Sequence, residues 1–281
     1  MFVSSLPSSQ KRSLIFISLL VVLTFLAFTP VLKAQFLSWN DDKYLTNNIN
    51  VLNFDLPHIK ALIKQRINGA HVPLTSLSLA LEHRLFGLNP FVYHLDNLLL
   101  HMATVLLVYF FILILGLNTW EAFLGALIFA LHPTKVEAIA WISERKDILY
   151  TFFYVASLMN YQKGRFWGSF ILALLSMLAN PMALSLPLVM ILLDWFSNKQ
   201  INAKTTINKW PYFLMVIVIG WATYKVNVKM LSIDFIQAPL ISVWALIFYL
   251  KKFFIPLVSL PIYSLPRPIS LYSWPYWLSL F

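Results

Sequence analysis

The sequence predicts an all-α, polytopic transmembrane bundle, and three observations predict it. Hydrophobic residues make up 59% of the 281 and charged residues 11%, whereas soluble domains average about half apolar and about a quarter charged. Apolar runs recur at about 13–32, 95–115, 121–132, 147–161, 166–179, 182–196, 210–226 and 240–255, with another starting near Trp274. A helix needs about 20 apolar residues to cross about 30 Å of hydrocarbon, so the shorter runs must be completed by backbone shielded from lipid. Finally, Lys163 and Arg165, then Lys199, Lys204 and Lys209, then Lys251 and Lys252 fall in every second connection, in phase with Lys11 and Arg12. Cytoplasmic loops carry such an excess, so the net charge of +10 is read as topology and no nucleic-acid partner is expected.

The elements follow in order. Lys11 and Arg12 precede the first span at 13–32, which is read as an uncleaved signal anchor with the N-terminus cytoplasmic; a leader cut after Ala34 is the alternative. Residues 33–94 then form one long exported loop. Within it, Leu56, Ile59, Leu62, Ile63 and Ile67 keep helical spacing opposite Lys60 and Lys64, the pattern of a helix lying in the membrane interface. A second helix starts near Pro73, and Gly87-Leu88-Asn89-Pro90 punctuates before the next span. Residues 95–281 supply the remaining spans of a single transmembrane domain, the last incomplete at Phe281. Residues 166–196 are read as two short spans meeting at Asn180-Pro181, because one kinked helix would move the lysine-rich loop outside. Trp39, Trp120, Trp141, Trp167, Trp195 and Trp210 mark run edges, where an amphipathic ring prefers the headgroup region. No repeat of 20 to 50 residues is visible, and with no cysteine neither disulfides nor thiolate metal sites are possible.

This topology places the polar candidates on one face. The first is Ser38-Trp39-Asn40-Asp41-Asp42-Lys43-Tyr44, just past the first span. A partly desolvated carboxylate beside a like charge gains proton affinity, so Asp41 or Asp42 is a candidate general base or cation ligand. The second is the run 132–147, where Lys135, Glu137, Glu144, Arg145, Lys146 and Asp147 crowd between apolar runs. Charges so close to hydrocarbon pair with one another or line a cavity. A guanidinium gives an anion two parallel hydrogen bonds, which makes Arg145 the phosphate candidate and Lys146 the alternate. His71, His132, Glu137, Asp147 and Asn180 are expected to line the same chamber. His94, Asn97 and His101 share a helix face that suits interhelical hydrogen bonds, and Asp96 and Asp194 suit local capping. No metal site is assigned; Asp41 and Asp42 are the ligands if a divalent cation is used.

Several motifs together resemble a known family. Trp39-Asn40-Asp41-Asp42-Lys43-Tyr44 with Asn48, His71-Val72-Pro73-Leu74-Thr75, Leu85-Phe86-Gly87-Leu88-Asn89-Pro90, Ala130-Leu131-His132-Pro133 with Val136-Glu137, Trp141, and Glu144-Arg145-Lys146-Asp147 look like the membrane part of bacterial tetratricopeptide-repeat proteins related to the transmembrane O-mannosyltransferases. The resemblance runs from about residue 36 to 195. It implies a GT-C type glycosyltransferase in a bacterial inner membrane, with its active site facing the extracytoplasmic side. Such an enzyme takes a mannose-like sugar from a polyprenyl-phosphate donor and transfers it, with inversion, to a protein or glycan hydroxyl. Asp41 or Asp42 would take the hydroxyl proton, Arg145 or Lys146 would meet the leaving phosphate, and membrane lipid would flank the donor.

The chain also departs from that pattern. Ala179-Asn180-Pro181-Met182 stands where relatives have Lys before Pro-Met, and the C-terminal tetratricopeptide repeats are absent. A catalytically silent or truncated scaffold is therefore one alternative. A transporter of lipid-linked sugar is another, and predicts an internal repeat with polar groups near the bilayer midplane.

Overall fold

A computed structural model describes residues 8–197, 199, 206–227, 237–256, 263–270, 273 and 275; Lys204 and the run near Trp274 lie outside the described residues. The described residues are helical, with one isolated bridge between Ile67 and Ala70. Among the described residues, two helices are long and apolar enough to cross a membrane. These are α1 (Ser8–Phe28), which continues through a tight turn at Thr29–Lys33, and α5 (Pro90–Ile114).

Between them the chain folds on itself. Helices α2 (Ile49–Leu52), α3 (Leu56–Lys64) and α4 (Pro73–Phe86) enclose a core of Tyr44, Leu45, Val51, Leu62, Val72 and Leu79. Local signals explain each boundary. Asp55 caps α3 by accepting from the His58 N–H, proline opens α3, α4 and α5, and Gly87 ends α4 at φ +64°. Ile67 departs from the expected helical stripe: α3 stops at Lys64, Gln65 is extended, and Ile67 is buried in the following turn.

α5 packs with α1 and with α6 (Thr119–Leu131), which starts at a capping box between Asn118 and Glu121. Ala122, Ala126 and Ala130 recur every fourth residue, so one face of α6 is small enough for close approach to Phe16, Leu20 and Val105. The outer faces stay apolar: Ile15, Leu26, Ile128 and Ile217 are each more than half exposed. Exposed apolar sides of this kind suit a lipid surround.

Helices α7 (Lys135–Ala140) and α8 (Arg145–Gln162) follow, and α8 forms a hairpin with α9 (Phe166–Ala179) across a turn where Gly164 adopts φ +69°. At Asn180 the backbone becomes extended and the chain reverses through Pro181–Ser185 into α10 (Leu186–Phe196). Asp194 then meets the Tyr161 hydroxyl at 2.7 Å, so α10 has returned to the far end of α8. Lys199 and Lys209 also pair with Asp194, at 3.1 and 2.6 Å, and Lys163 and Arg165 occupy the same end. Ser13 meets Tyr109 at 2.6 Å, near the finish of α5, so Lys11 and Arg12 belong there too. The eighteen residues of α8 separate this far end from Arg145 by about 27 Å.

Helices α11 (Trp210–Asn227) and α12 (Gln237–Phe254) complete the bundle. The last pair of lysines corrects the expected alternation. The Phe253 carbonyl lies 2.8 Å from His132 Nε2, which places Lys251 and Lys252 at the same end as the 132–147 run. Trp39, Trp120, Trp167, Trp195 and Trp210 are more than half exposed, whereas Trp141 is 9% exposed and bonded inward.

Candidate functional site

The two polar motifs, 102 residues apart in sequence, are latched together. Asp41 accepts the Leu37 N–H on one carboxylate oxygen at 2.9 Å and the Ser143 N–H on the other at 2.9 Å. The Trp141 indole N–H donates to the Trp39 carbonyl at 2.9 Å. Sequence supports this locally: Asn40, tolerant of φ +68°, reverses the chain so that Asp42–Thr46 winds as one wide helical turn against residues 141–144. Burial pushes the Asp41 carboxyl up from the ordinary aspartate range, while the Leu37 and Ser143 hydrogen bonds oppose that rise. With both oxygens engaged, Asp41 is a fastener. Asp42 differs, since its Oδ1 is buried and accepts no hydrogen bond among the described residues.

Beside the latch sits an ionic cluster. Lys146 Nζ bonds Glu144 at 2.6 Å and lies 5.5 Å from the centre of the Tyr44 ring. Burial, then the charges of Glu144 and Asp147, push the Tyr44 hydroxyl up to about 12. Asp147 accepts from the Asn180 side chain at 2.6 Å, and Thr75 fixes that corner by donating to the Ala179 carbonyl at 3.0 Å. Desolvation first, then Glu144 and Asp147, hold the Glu137 carboxyl above its usual range. Lys135 is the cation that sequence reasoning left without a role. Its ammonium stands 4.6 Å over Phe129, and desolvation lowers its proton affinity against the opposing charge of Asp147.

Two cavities open on this region. One, about 380 Å³, is mainly apolar, with Glu137 and Lys252 on its wall beside Val136, Trp141, Tyr249 and Tyr263. The other, about 100 Å³, is polar and holds Lys135 and Asp147 with Thr104 and Thr134. Lys252 was missed as a site residue because hydropathy alone cannot tell which end of the bundle α12 finishes at.

Arg145 does not join them. It is 0% exposed, and its guanidinium bonds Asn97 at 2.8 Å, the Tyr93 carbonyl at 3.0 Å, Asp96 at 3.2 Å, and Glu82. Consecutive helical residues point about 100° apart, so Lys146 faces Tyr44 while Arg145 turns into α4 and α5. The phosphate role expected of Arg145 does not fit this geometry, and the twin aspartates and the guanidinium do not share one chamber. Glu82, read only as part of a helix, is the buried partner; burial raises its carboxyl and Arg145 opposes the rise. His71 and His132 also serve packing. His71 Nε2 meets the Ile63 carbonyl at 2.9 Å, and His132 spans Thr134 and Phe253, stacked on the Phe253 ring at 4.8 Å. His94, Asn97 and His101 are buried, with His101 bonded to the Ala130 carbonyl at 3.0 Å. Among the described residues no group of three or more His, Asp or Glu is placed to hold a metal ion. Of the acid pair, Asp42 is the one with an oxygen that has no hydrogen-bond partner among the described residues.

These features define the class: a helical membrane protein whose one end carries a latched acidic turn and an ionic cluster beside an apolar cavity. Comparison with known proteins makes it more particular. Protein O-mannosyl-transferase TMTC2 of Homo sapiens is 40% identical over 116 residues, 37% of this chain and 14% of that protein. Protein O-mannosyl-transferase TMTC1 of Mus musculus is 35% identical over 106 residues, 37% of this chain and 11% of that protein. The Drosophila melanogaster Tmtc1 is 31% identical over 121 residues, 42% of this chain and 14% of that protein. The chain is thus related to transmembrane O-mannosyltransferases over about 37% of its length and matches only a small part of each relative. No family model and no solved structure matches.

Proposed function

We propose that this chain is the membrane part of a GT-C type glycosyltransferase, polytopic in a bacterial inner membrane, with its N-terminus cytoplasmic and its site extracytoplasmic. It moves a mannose-like sugar from a polyprenyl-phosphate donor to a hydroxyl of a protein or glycan. The observation that carries this reading is the latch that seats the Asp42 turn against Glu144 and Lys146, in a chain related to proteins named O-mannosyl-transferases.

The chemistry follows from the residues. Asp42 Oδ1, which accepts no hydrogen bond, takes the acceptor's hydroxyl proton as that oxygen attacks the anomeric carbon. The bond from that carbon to the phosphate oxygen breaks on the opposite face, so configuration inverts. The departing phosphate keeps the electron pair, and its charge is met by Lys146 in a partly buried setting where electrostatics act at low dielectric. The apolar cavity at Val136, Trp141 and Tyr249 takes the first units of the lipid.

Sugar transfer from a radiolabelled undecaprenyl-phosphate mannose in reconstituted membranes tests the reading. Asp42→Asn and Lys146→Gln each lower turnover at least about 100-fold while thermal unfolding stays unchanged; wild-type turnover in both variants overturns it. The silent-scaffold alternative is favoured by Asn180 in the lysine position and by the internal engagement of Arg145. A folded wild-type protein that fails to bind the donor selects that alternative.

A further inference from the structure

A second concave surface lies on the other side of the acidic turn. Residues 43–50 form one wall and 65–68 the other, around a cleft of about 360 Å³ that is open to solvent. The walls are tied to each other: Lys43 Nζ donates to Asn68 at 3.1 Å, Asn68 donates to Asn40 at 2.6 Å, and the Asn48 and Gln65 amides face each other at 3.3 and 3.4 Å. Arg66 closes one side by donating to the Ala222 carbonyl of α11 at 2.7 Å, which leaves its Nη1 buried without a partner among the described residues.

The lining is unusual in its chemistry. Five amide side chains and two cations surround the cleft, with no carboxylate and no aromatic ring. The amides of Asn47 and Asn50 make no hydrogen bond within the described protein, so they present donors and acceptors outward. An amide offers a donor and an acceptor side by side, which matches neighbouring hydroxyls on a sugar ring. Lys43 and Arg66 add positive charge that no lining acid neutralises. An extended peptide would instead need apolar pockets for its side chains, and only Ile49 and Ile67 supply apolar surface, Ile67 being 5% exposed.

We infer that this cleft binds an anionic saccharide. As a binding site it stands by itself; its use as the seat of the acceptor rests on the transferase reading, since residue 43 follows Asp42 directly.

The test is saturation-transfer NMR on the full chain in detergent, with trigalacturonic acid, mannobiose and a serine-rich acidic peptide as probes. Wild type gives signal with trigalacturonic acid, weaker signal with mannobiose and none with the peptide. The double variant Asn47→Ala, Asn50→Ala loses the trigalacturonic acid signal at least fivefold with unchanged thermal unfolding, because neither amide has an internal partner to lose. Lys43→Gln weakens trigalacturonic acid and leaves mannobiose alone. Peptide signal that exceeds the saccharide signal, or full saccharide signal in the double variant, overturns the inference. None of these readouts uses a lipid donor. Binding without transfer would therefore overturn the transferase reading alone, and transfer with no effect of the double variant on binding would overturn this one alone.

Discussion

Replacing Arg145 by alanine separates its two candidate roles. In the structure the guanidinium serves Glu82, Asp96, Asn97 and the Tyr93 carbonyl, and Glu82 is 6% exposed. Removing one member of a buried pair leaves the other charge without compensation, at about 3–5 kcal/mol. At roughly 2–4 °C per kcal/mol for a chain of comparable size, Arg145→Ala lowers the melting temperature in detergent by about 6–20 °C. Arg145→Lys keeps the charge but loses the fork, and falls between. The double variant Arg145→Met, Glu82→Leu removes the buried ion pair and recovers part of the loss, the remainder being the Asn97 and Tyr93 acceptors left without their donor. A fluorescence-monitored thermal ramp supplies these values, with donor binding measured in parallel. An unchanged melting temperature in Arg145→Ala, accompanied by lost donor binding, refutes the clamp and restores Arg145 to the phosphate.

Other outcomes follow from the same geometry. Asp41→Asn turns an NH2 group toward a backbone N–H and costs about 1–3 kcal/mol, seen as a lower melting temperature; a stability equal to wild type contradicts the fastening role. Glu137 has its carboxyl held above the ordinary glutamate range by desolvation, Glu144 and Asp147. The folded chain therefore holds that proton more tightly than the unfolded chain, and the stability so gained is full below the ordinary glutamate range and lost as pH rises through the raised folded value. Glu137→Gln flattens that part of a melting-temperature profile, and a profile indistinguishable from wild type dismisses the cause given. Because the chain lacks cysteine, single substitutions report sidedness directly. Lys43→Cys and Lys252→Cys react with an impermeant maleimide from the outside of intact cells and Lys163→Cys does not; labelling of all three, or of Lys163→Cys alone, rejects the proposed threading.

Much of the helical layout was legible because hydropathy has a period and helix ends have chemistry. The apolar runs at 147–161, 166–179 and 210–226 correspond to α8, α9 and α11 within two residues. The proline signals at Pro73 and Asn89-Pro90 opened α4 and α5 where expected. The stripe through Ile67 misled because spacing does not report that Gln65 is extended. The candidate site was half legible: unusual charges near apolar runs are easy to see, but which way each side chain points is not written locally. Arg145 and Lys146 are neighbours with the same charge sign, and their one-residue offset on a helix start sends one inward and the other toward Tyr44.

By itself the sequence pointed to a helical membrane protein, because long continuous apolar runs satisfy their backbone in lipid within each segment, and it flagged the acidic turn and the 132–147 run as exceptional. Tertiary structure alone decided how those charges divide. Partners 102 residues apart meet at Asp41 and Ser143, the guanidinium of Arg145 finds Glu82 across α4, and α12 ends at His132, bringing Lys252 to the same end. Each is a long-range packing choice, and a lone charged residue becomes fastener or clamp only when the surrounding donors and acceptors have been counted in space.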